Sequence, residues 1–203
     1  MPLILETIVT TTAADGTLHL VPFGLIREDD GGTVLAPFRP SPTIENLKAN
    51  PVFAASSPRD IRVIAGAVTG RRDWPTLPCE RIAGSRLADS FGHAEFAVER
   101  VEEDETRPRY RGRLVHEAAH SAFIGYNRAQ GAVLEAAILS TRLHMLAPEK
   151  ILSELRYLAI AISKTAGPRE REAWGWIEDK VAAALGPDAR VLANPDAARP
   201  SGA

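Results

Sequence analysis

The sequence predicts an α+β fold, with an antiparallel strand-rich front followed by a helical back. Three observations carry this reading. Residues 3–38 form β-branched runs separated by Gly-containing turns. From residue 127 onward, apolar residues recur at helical spacing. The single cysteine, Cys79, leaves a chain of 203 residues to be held together by its core. A chain of this length buries about 70% of its unfolded surface and needs no disulfide. One cysteine also fits a reducing compartment.

The strands come first. Leu3 to Thr12 is rich in Ile, Val and Thr and contains no Gly or Pro, the composition of a strand. Ala14-Asp15-Gly16 is a turn, because Gly accepts positive φ and Asp bonds its own backbone. Thr17 to Ile26 is the second strand, Asp29-Asp30-Gly31-Gly32 the second turn, and Thr33 to Phe38 the third strand. Strands joined by tight turns make an antiparallel meander. The period then changes. Ser41 to Asn50 reads as a short helix, with Ser41 as N-cap, Pro42 at its first position and Pro51 as its stop. Val52 to Ser56 is a short apolar strand. Asp60 to Val68 fits either a helix capped by Asp60 or a strand, and Arg71 to Pro78 is a loop. Phe96 to Val101 and Arg109 to Val115 form a strand pair around an acidic turn at 102–105. In the second of them Arg109, Arg111 and Arg113 share one face, and Tyr110, Gly112 and Leu114 the other.

Three helices follow. Asn127 to Met145 is rich in Ala and Leu, with Asn127 as its N-cap. Pro148 to Lys164 carries Ile151, Leu155, Leu158 and Ile162 on one stripe. Pro168 to Leu185 carries Trp174, Ile177, Val181 and Leu185, with Glu170 and Glu172 in its first turn to suit the helix dipole. These readings divide the chain into a barrel-like domain over 1–124, a helical segment over 125–186 and a flexible tail over 187–203.

Bulk properties narrow the function. The 24 basic and 26 acidic residues give a formal net charge of −2, with no basic tract. Nucleic acid and anionic membranes are therefore not expected partners. No apolar run approaches the roughly 20 residues of a membrane span. The start, Met-Pro-Leu-Ile-Leu-Glu, lacks the basic and apolar regions of a secretory leader, and a cytoplasmic location is expected.

The segment Pro37–Leu47 is the most chemically pointed. A strand runs into a helix N-terminus, where unpaired N–H groups and the helix dipole attract anions such as phosphate. Ser41 and Thr43 offer hydroxyls, Arg39 a guanidinium, and Asn46 lies one turn along. By spacing alone an ordinary capped helix is the commoner explanation.

The stretch Pro37-Phe38-Arg39-Pro40-Ser41-Pro42-Thr43-Ile44-Glu45-Asn46-Leu47 resembles the phosphate-binding segment of flavin-reductase-like split-barrel flavoproteins. Over residues 3–185 the chain is similar to one family of that superfamily, from methane-producing archaea and methylotrophic bacteria. Leu5-Glu6-Thr7-Ile8-Val9-Thr10-Thr11-Thr12, Gly70-Arg71-Arg72-Asp73-Trp74-Pro75, and Tyr126-Asn127-Arg128-Ala129 leading into Glu135-Ala136-Ala137-Ile138-Leu139 also carry the likeness. The resemblance implies a homodimeric split barrel binding flavin mononucleotide (FMN), with Ser41, Thr43 and Asn46 on the phosphate and Arg39 beside them. It further implies an oxidoreductase, with tetrahydromethanopterin-linked one-carbon metabolism as a pathway hint. A non-catalytic FMN- or pterin-binding module is the other reading. Ser56-Ser57-Pro58 stands where related chains often carry an Asn, at a position expected to contact the flavin ring.

His116-Glu117-Ala118-Ala119-His120 matches the zinc-protease pattern H-E-x-x-H, which needs a helix to align both histidines. The preceding alternation reads as a strand, so a zinc hydrolase is not favoured and no metal site is expected. His19, the Arg109/Arg111/Arg113 stripe and the loop around Trp74 are secondary candidates for ligand contact. Each has a plainer reading as solvated or packing residues. Cys79 has no activating partner in sequence, and no catalytic residue is named.

Overall fold

A computed structural model describes residues 2–191. These residues divide into two compact units: residues 2–59 with 72–123, and residues 60–71 with 124–191. The expected helical segment thus gains residues 60–71, because the ambiguous stretch after Asp60 folds as a helix and buries its apolar residues among other helices.

The first unit is a closed six-stranded antiparallel barrel, ordered β1-β2-β3-β8-β7-β4 and sealed by pairing of β4 with β1. The strands are β1 (Leu3–Thr12), β2 (Leu18–Arg27), β3 (Thr33–Leu35), β4 (Val52–Pro58), β7 (Ser90–Glu102) and β8 (Arg109–Ala119). Between them, β5 (Thr76–Pro78), inside the stretch expected to be loop, pairs with β6 (Ser85–Leu87) as a separate hairpin. β1 and β2 pair over their full length, from Leu3↔Arg27 to Thr12↔Leu18. The turn between them uses Gly16 at φ 87°, and the Asp15 carboxylate accepts the Thr17 N–H at 2.9 Å.

Closure of the barrel replaces the simple alternation of a half-exposed sheet. β1 is buried continuously from Thr7 to Thr11. Its inner side chain Val9 joins Leu25, Leu35, Phe53, Ala55, Phe96 and Tyr110 in the core. On the outside, Thr10 Oγ1 donates to the Ser85 carbonyl of β6. The helix α1 (Pro42–Ala49) contributes Ile44 and Leu47 to the same core, and Asn50 Nδ2 donates to the Thr12 carbonyl at 2.9 Å. Two arginines of the stripe on β8 are neutralised. Arg109 meets Glu28 at 2.7 Å, and Arg111 meets Glu28 and Asp30 at 2.6 and 2.7 Å. The plain reading of a solvated, ion-paired face accounts for it.

The second unit packs α2 (Arg62–Val68), α3 (Arg128–Ser140), α4 (Pro148–Thr165) and α5 (Pro168–Leu185). Ile151, Leu155 and Ile162 of α4 and Trp174, Ile177 and Val181 of α5 are fully buried. Ala159 is buried beside them, while Leu158, expected on the same stripe, is half-buried. Residues 187–189 form a 3₁₀ turn, and the Val191 N–H donates to Glu178 Oε1 at 2.9 Å. The part of the expected tail up to residue 191 is therefore packed, and 192–203 lie outside the described residues. Asn127 caps α3 by accepting from Ala129 and Gln130 at 2.7 and 3.3 Å, and its Nδ2 donates to the Thr165 carbonyl. Asn127→Ala should lower unfolding stability by about 1–2 kcal/mol, measurable by urea denaturation.

Candidate functional site

At the turn from β3 into α1, Ser41 adopts an extended backbone (φ −148°, ψ 131°) and its Oγ accepts the Thr43 N–H at 3.2 Å. That bond leaves the Ser41 O–H available to donate. Thr43 is fully buried in the first turn, and its Oγ1 has no hydrogen-bond partner. An unpaired buried hydroxyl costs about 1–3 kcal/mol, which an acceptor placed there would relieve. Asn46 is also buried, but its Nδ2 donates to Thr11 Oγ1 at 3.0 Å and ties α1 to β1. Arg39 turns aside: its guanidinium meets Glu103 Oε2 at 2.7 Å and donates to the Asp104 carbonyl at 3.1 Å. The structure thus gathers Ser41, Thr43 and Asn46 on one helix and holds Arg39 against the acidic β7–β8 turn.

A second feature was not legible in the sequence. A cleft of about 550 Å³ opens from the barrel, walled by Leu5 and Thr7 of β1, Leu25 and Arg27 of β2, Ala55 and Ser57 of β4, Phe91, Ala94 and Phe96 of β7, and Glu117 of β8. That volume suits a small organic ligand. It is floored by the core residues Leu25, Ala55 and Phe96, and Ser57, from the segment that lacks the usual Asn, forms part of its wall. The cleft lies toward the Leu5–Thr7 end of β1, whereas α1 is anchored at Thr11 and Thr12. At about 3.3 Å per residue, Thr7 and Thr11 are roughly 13 Å apart.

His116 and Glu117 lie within a strand and not on a helix, and Glu117 faces the cleft while His116 faces away from it. The arrangement of a zinc protease is therefore absent from this motif. On the outer face of the barrel, Glu95 is fully buried under the β5–β6 turn. Its carboxylate accepts the N–H groups of Glu80, Arg81 and Ile82 at 2.6, 2.8 and 3.0 Å and contacts His93 Nε2 at 3.0 Å. Burial pushes its pKa up, but these hydrogen bonds outweigh that and hold it below the usual carboxylate range. His93 Nδ1 lies 2.9 Å from His120 Nε2, and His116 Nε2 lies 2.7 Å from Glu80 Oε2.

The other candidates resolve plainly. His19 is half-buried, and desolvation with the nearby Arg72 charge lowers its pKa. Arg71 stacks on Trp176, 4.5 Å from the ring centroid. Burial, then the charge of Glu95, pushes the Cys79 thiol up to about 12, the opposite of an activated nucleophile.

A closed six-stranded antiparallel barrel with a capped helix tucked into its core makes the first unit an α+β barrel. The chain belongs to the DUF447 family. The model described as "Protein of unknown function (DUF447) N-terminal domain" matches residues 5–121, and its C-terminal companion matches residues 127–179. Among solved structures, an FMN-bound DUF447 protein of Methanosarcina mazei superposes with a TM-score of 0.75 at 19% identity, over 89% of this chain and 96% of that one. Flavoredoxin from Methanosarcina acetivorans gives a TM-score of 0.50 at 13% identity, over 62% and 72% of the two chains. No curated protein matches the sequence. Among the described residues no helix is long and apolar enough to cross a membrane.

Proposed function

We propose that this protein binds FMN through its phosphate at the turn from β3 into α1, and that it is a flavin-dependent oxidoreductase. The observation that carries the reading is Thr43 Oγ1, buried and unpartnered in the first turn of a helix whose cap, Ser41, still has an O–H to donate. The helix N-terminus adds its partial positive charge. In this reading Ser41 and Thr43 hold the phosphate, Asn46 keeps α1 seated on β1, and Arg39 joins by exchanging its exposed Glu103 pair, which costs little. The barrel cleft, with Phe91 and Ser57 in its wall, accommodates a flat organic portion of ligand or substrate. The FMN-bound relative, alike over nearly the whole of both chains, supports the choice of flavin.

Bound FMN would supply electron or hydride transfer, while the protein positions it and limits water. The exposed apolar side chains of Leu3, Ile4 and Leu5 on β1 support a homodimer, which light scattering would test. One-carbon metabolism is the first place to seek the substrate, and the cytoplasm the expected location.

The test is the visible spectrum of purified protein after incubation with FMN and desalting, followed by anaerobic mixing with NADH or NADPH. Retained flavin bands that bleach with a donor are the expected result. Loss of all flavin on desalting would overturn the binding site. Retention without bleaching by any donor would reduce the protein to a flavin-binding module.

A further inference from the structure

We propose that Glu80, His93 and His116 form a binding site for a divalent transition metal, zinc foremost, on the outer face of the barrel. This goes beyond the flavin reading and does not depend on it. One ligand atom from each of the three residues lies within 4.8 Å of the others. The residues come from three separate segments: the turn between β5 and β6, β7, and β8. The site is therefore made by tertiary structure and not by a local motif.

Strand register explains the meeting. Glu95 pairs with His116 and Phe96 with Leu114, so Val115 is an extra residue that bulges from β8. A one-residue bulge reverses the side-chain alternation beyond it. It turns His116 away from the barrel interior and onto the face that carries Glu95. His93, two residues before Glu95, lies on the same face.

The chemistry of the donors fits a metal. Imidazole nitrogens with a carboxylate oxygen are an ordinary zinc set, at about 2.0–2.2 Å from the ion and hence about 3.4 Å from one another in a tetrahedron. Closing from 4.8 Å requires a shift of about 1 Å, which the half-exposed Glu80 side chain can supply. Glu95 completes the arrangement from behind. Its ionised carboxylate accepts from His93 Nε2, so Nδ1 presents its lone pair. A carboxylate behind a ligating histidine is the usual support of such sites. His120 Nε2, 2.9 Å from His93 Nδ1, stands ready as a fourth ligand or a hydrogen-bond partner. Arg86 is the cation beside the cluster. Its charge weakens the attraction for a metal but leaves it favourable, because Glu80 and Glu95 together carry two negative charges.

An ion here would pin the β5–β6 turn to the β7–β8 sheet. It would act as a structural clip, since binding the folded state alone adds stability.

The experiment is titration of chelator-treated protein with Co²⁺, followed by visible absorption, with competition by Zn²⁺. One Co²⁺ per chain, with the bands of a four-coordinate ion and displacement by zinc, is expected. His116→Ala and Glu80→Gln should each weaken binding at least tenfold, and Glu117→Gln, on the opposite face, should bind as wild type. Glu80 is on an exposed turn, so its variant tests the site even if His116→Ala folds poorly. Circular dichroism checks that each variant is folded. Absence of the cobalt bands in wild type, or wild-type affinity in Glu80→Gln, would overturn the site.

Discussion

Replacing Glu95 with alanine is expected to lower the melting temperature by about 10 °C. The carboxylate is fully buried and satisfies three consecutive backbone N–H groups and His93. Its removal leaves those donors without an acceptor in a site that water reaches poorly. Breaking such a buried network costs about 3–5 kcal/mol, and a protein of this size shifts by roughly 2–4 °C per kcal/mol. Glu95 also gives acid sensitivity with a definite sign. Its folded pKa lies below the usual value of 4.5, so the stability it contributes is fully present above about pH 4.5. That stability is lost as pH falls through the lower native pKa. A calorimetric pH series should therefore show wild type losing stability below pH 4.5 more steeply than Glu95→Ala. Parallel curves would mean that Glu95 is not ionised in the native protein.

The double variant Ser41→Ala/Thr43→Ala is expected to bind FMN about 100-fold more weakly than wild type. Each hydrogen bond to a charged phosphate is worth about 1.5–3 kcal/mol, and about 1.4 kcal/mol is tenfold in affinity. The cost to folding should be small. Ser41 caps α1, and losing that bond costs about 1 kcal/mol. Thr43 Oγ1 has no partner to lose. Thr43→Val separates the two effects most cleanly: it keeps the shape and removes only the hydroxyl, so the flavin-free protein should melt at or above the wild-type temperature while FMN affinity falls. Fluorescence titration of FMN against each variant reads the result. Unchanged affinity in the double variant would remove the phosphate site from this turn.

Much of the fold was legible because it is local. Gly16 with Asp15, Ser41 with Pro42, and Asn127 each state a turn or cap through a short-range bond that the structure contains. The helical stripes of α4 and α5 were readable for the same reason, since a period of 3.6 leaves one apolar face whatever it packs against. What failed to show was non-local. The stretch from Asp60 is apolar and β-branched enough for either state, and burial among other helices decided it. The β5–β6 hairpin hid in a segment with two prolines, Pro75 and Pro78, because its pairing joins residues seven to eleven positions apart.

The candidate sites divide the same way. Ser41, Thr43, Asn46 and Arg39 could be proposed from sequence because a strand running into a capped helix is a continuous signal. What the sequence could not show is that Arg39 is engaged by Glu103 and Asp104, 64 and 65 residues away. The H-E-x-x-H match was rightly read as strand, yet His116 is not idle. One bulged residue, Val115, turns it toward Glu80 and His93.

The sequence by itself determined the class of fold, the opening strand meander and the capped helices, because periodicity and capping act within a few residues. Only the tertiary structure decided the closure of the barrel, the cleft inside it and the histidine–glutamate cluster outside it. Those depend on strand register, and a single inserted residue reverses which face a side chain takes.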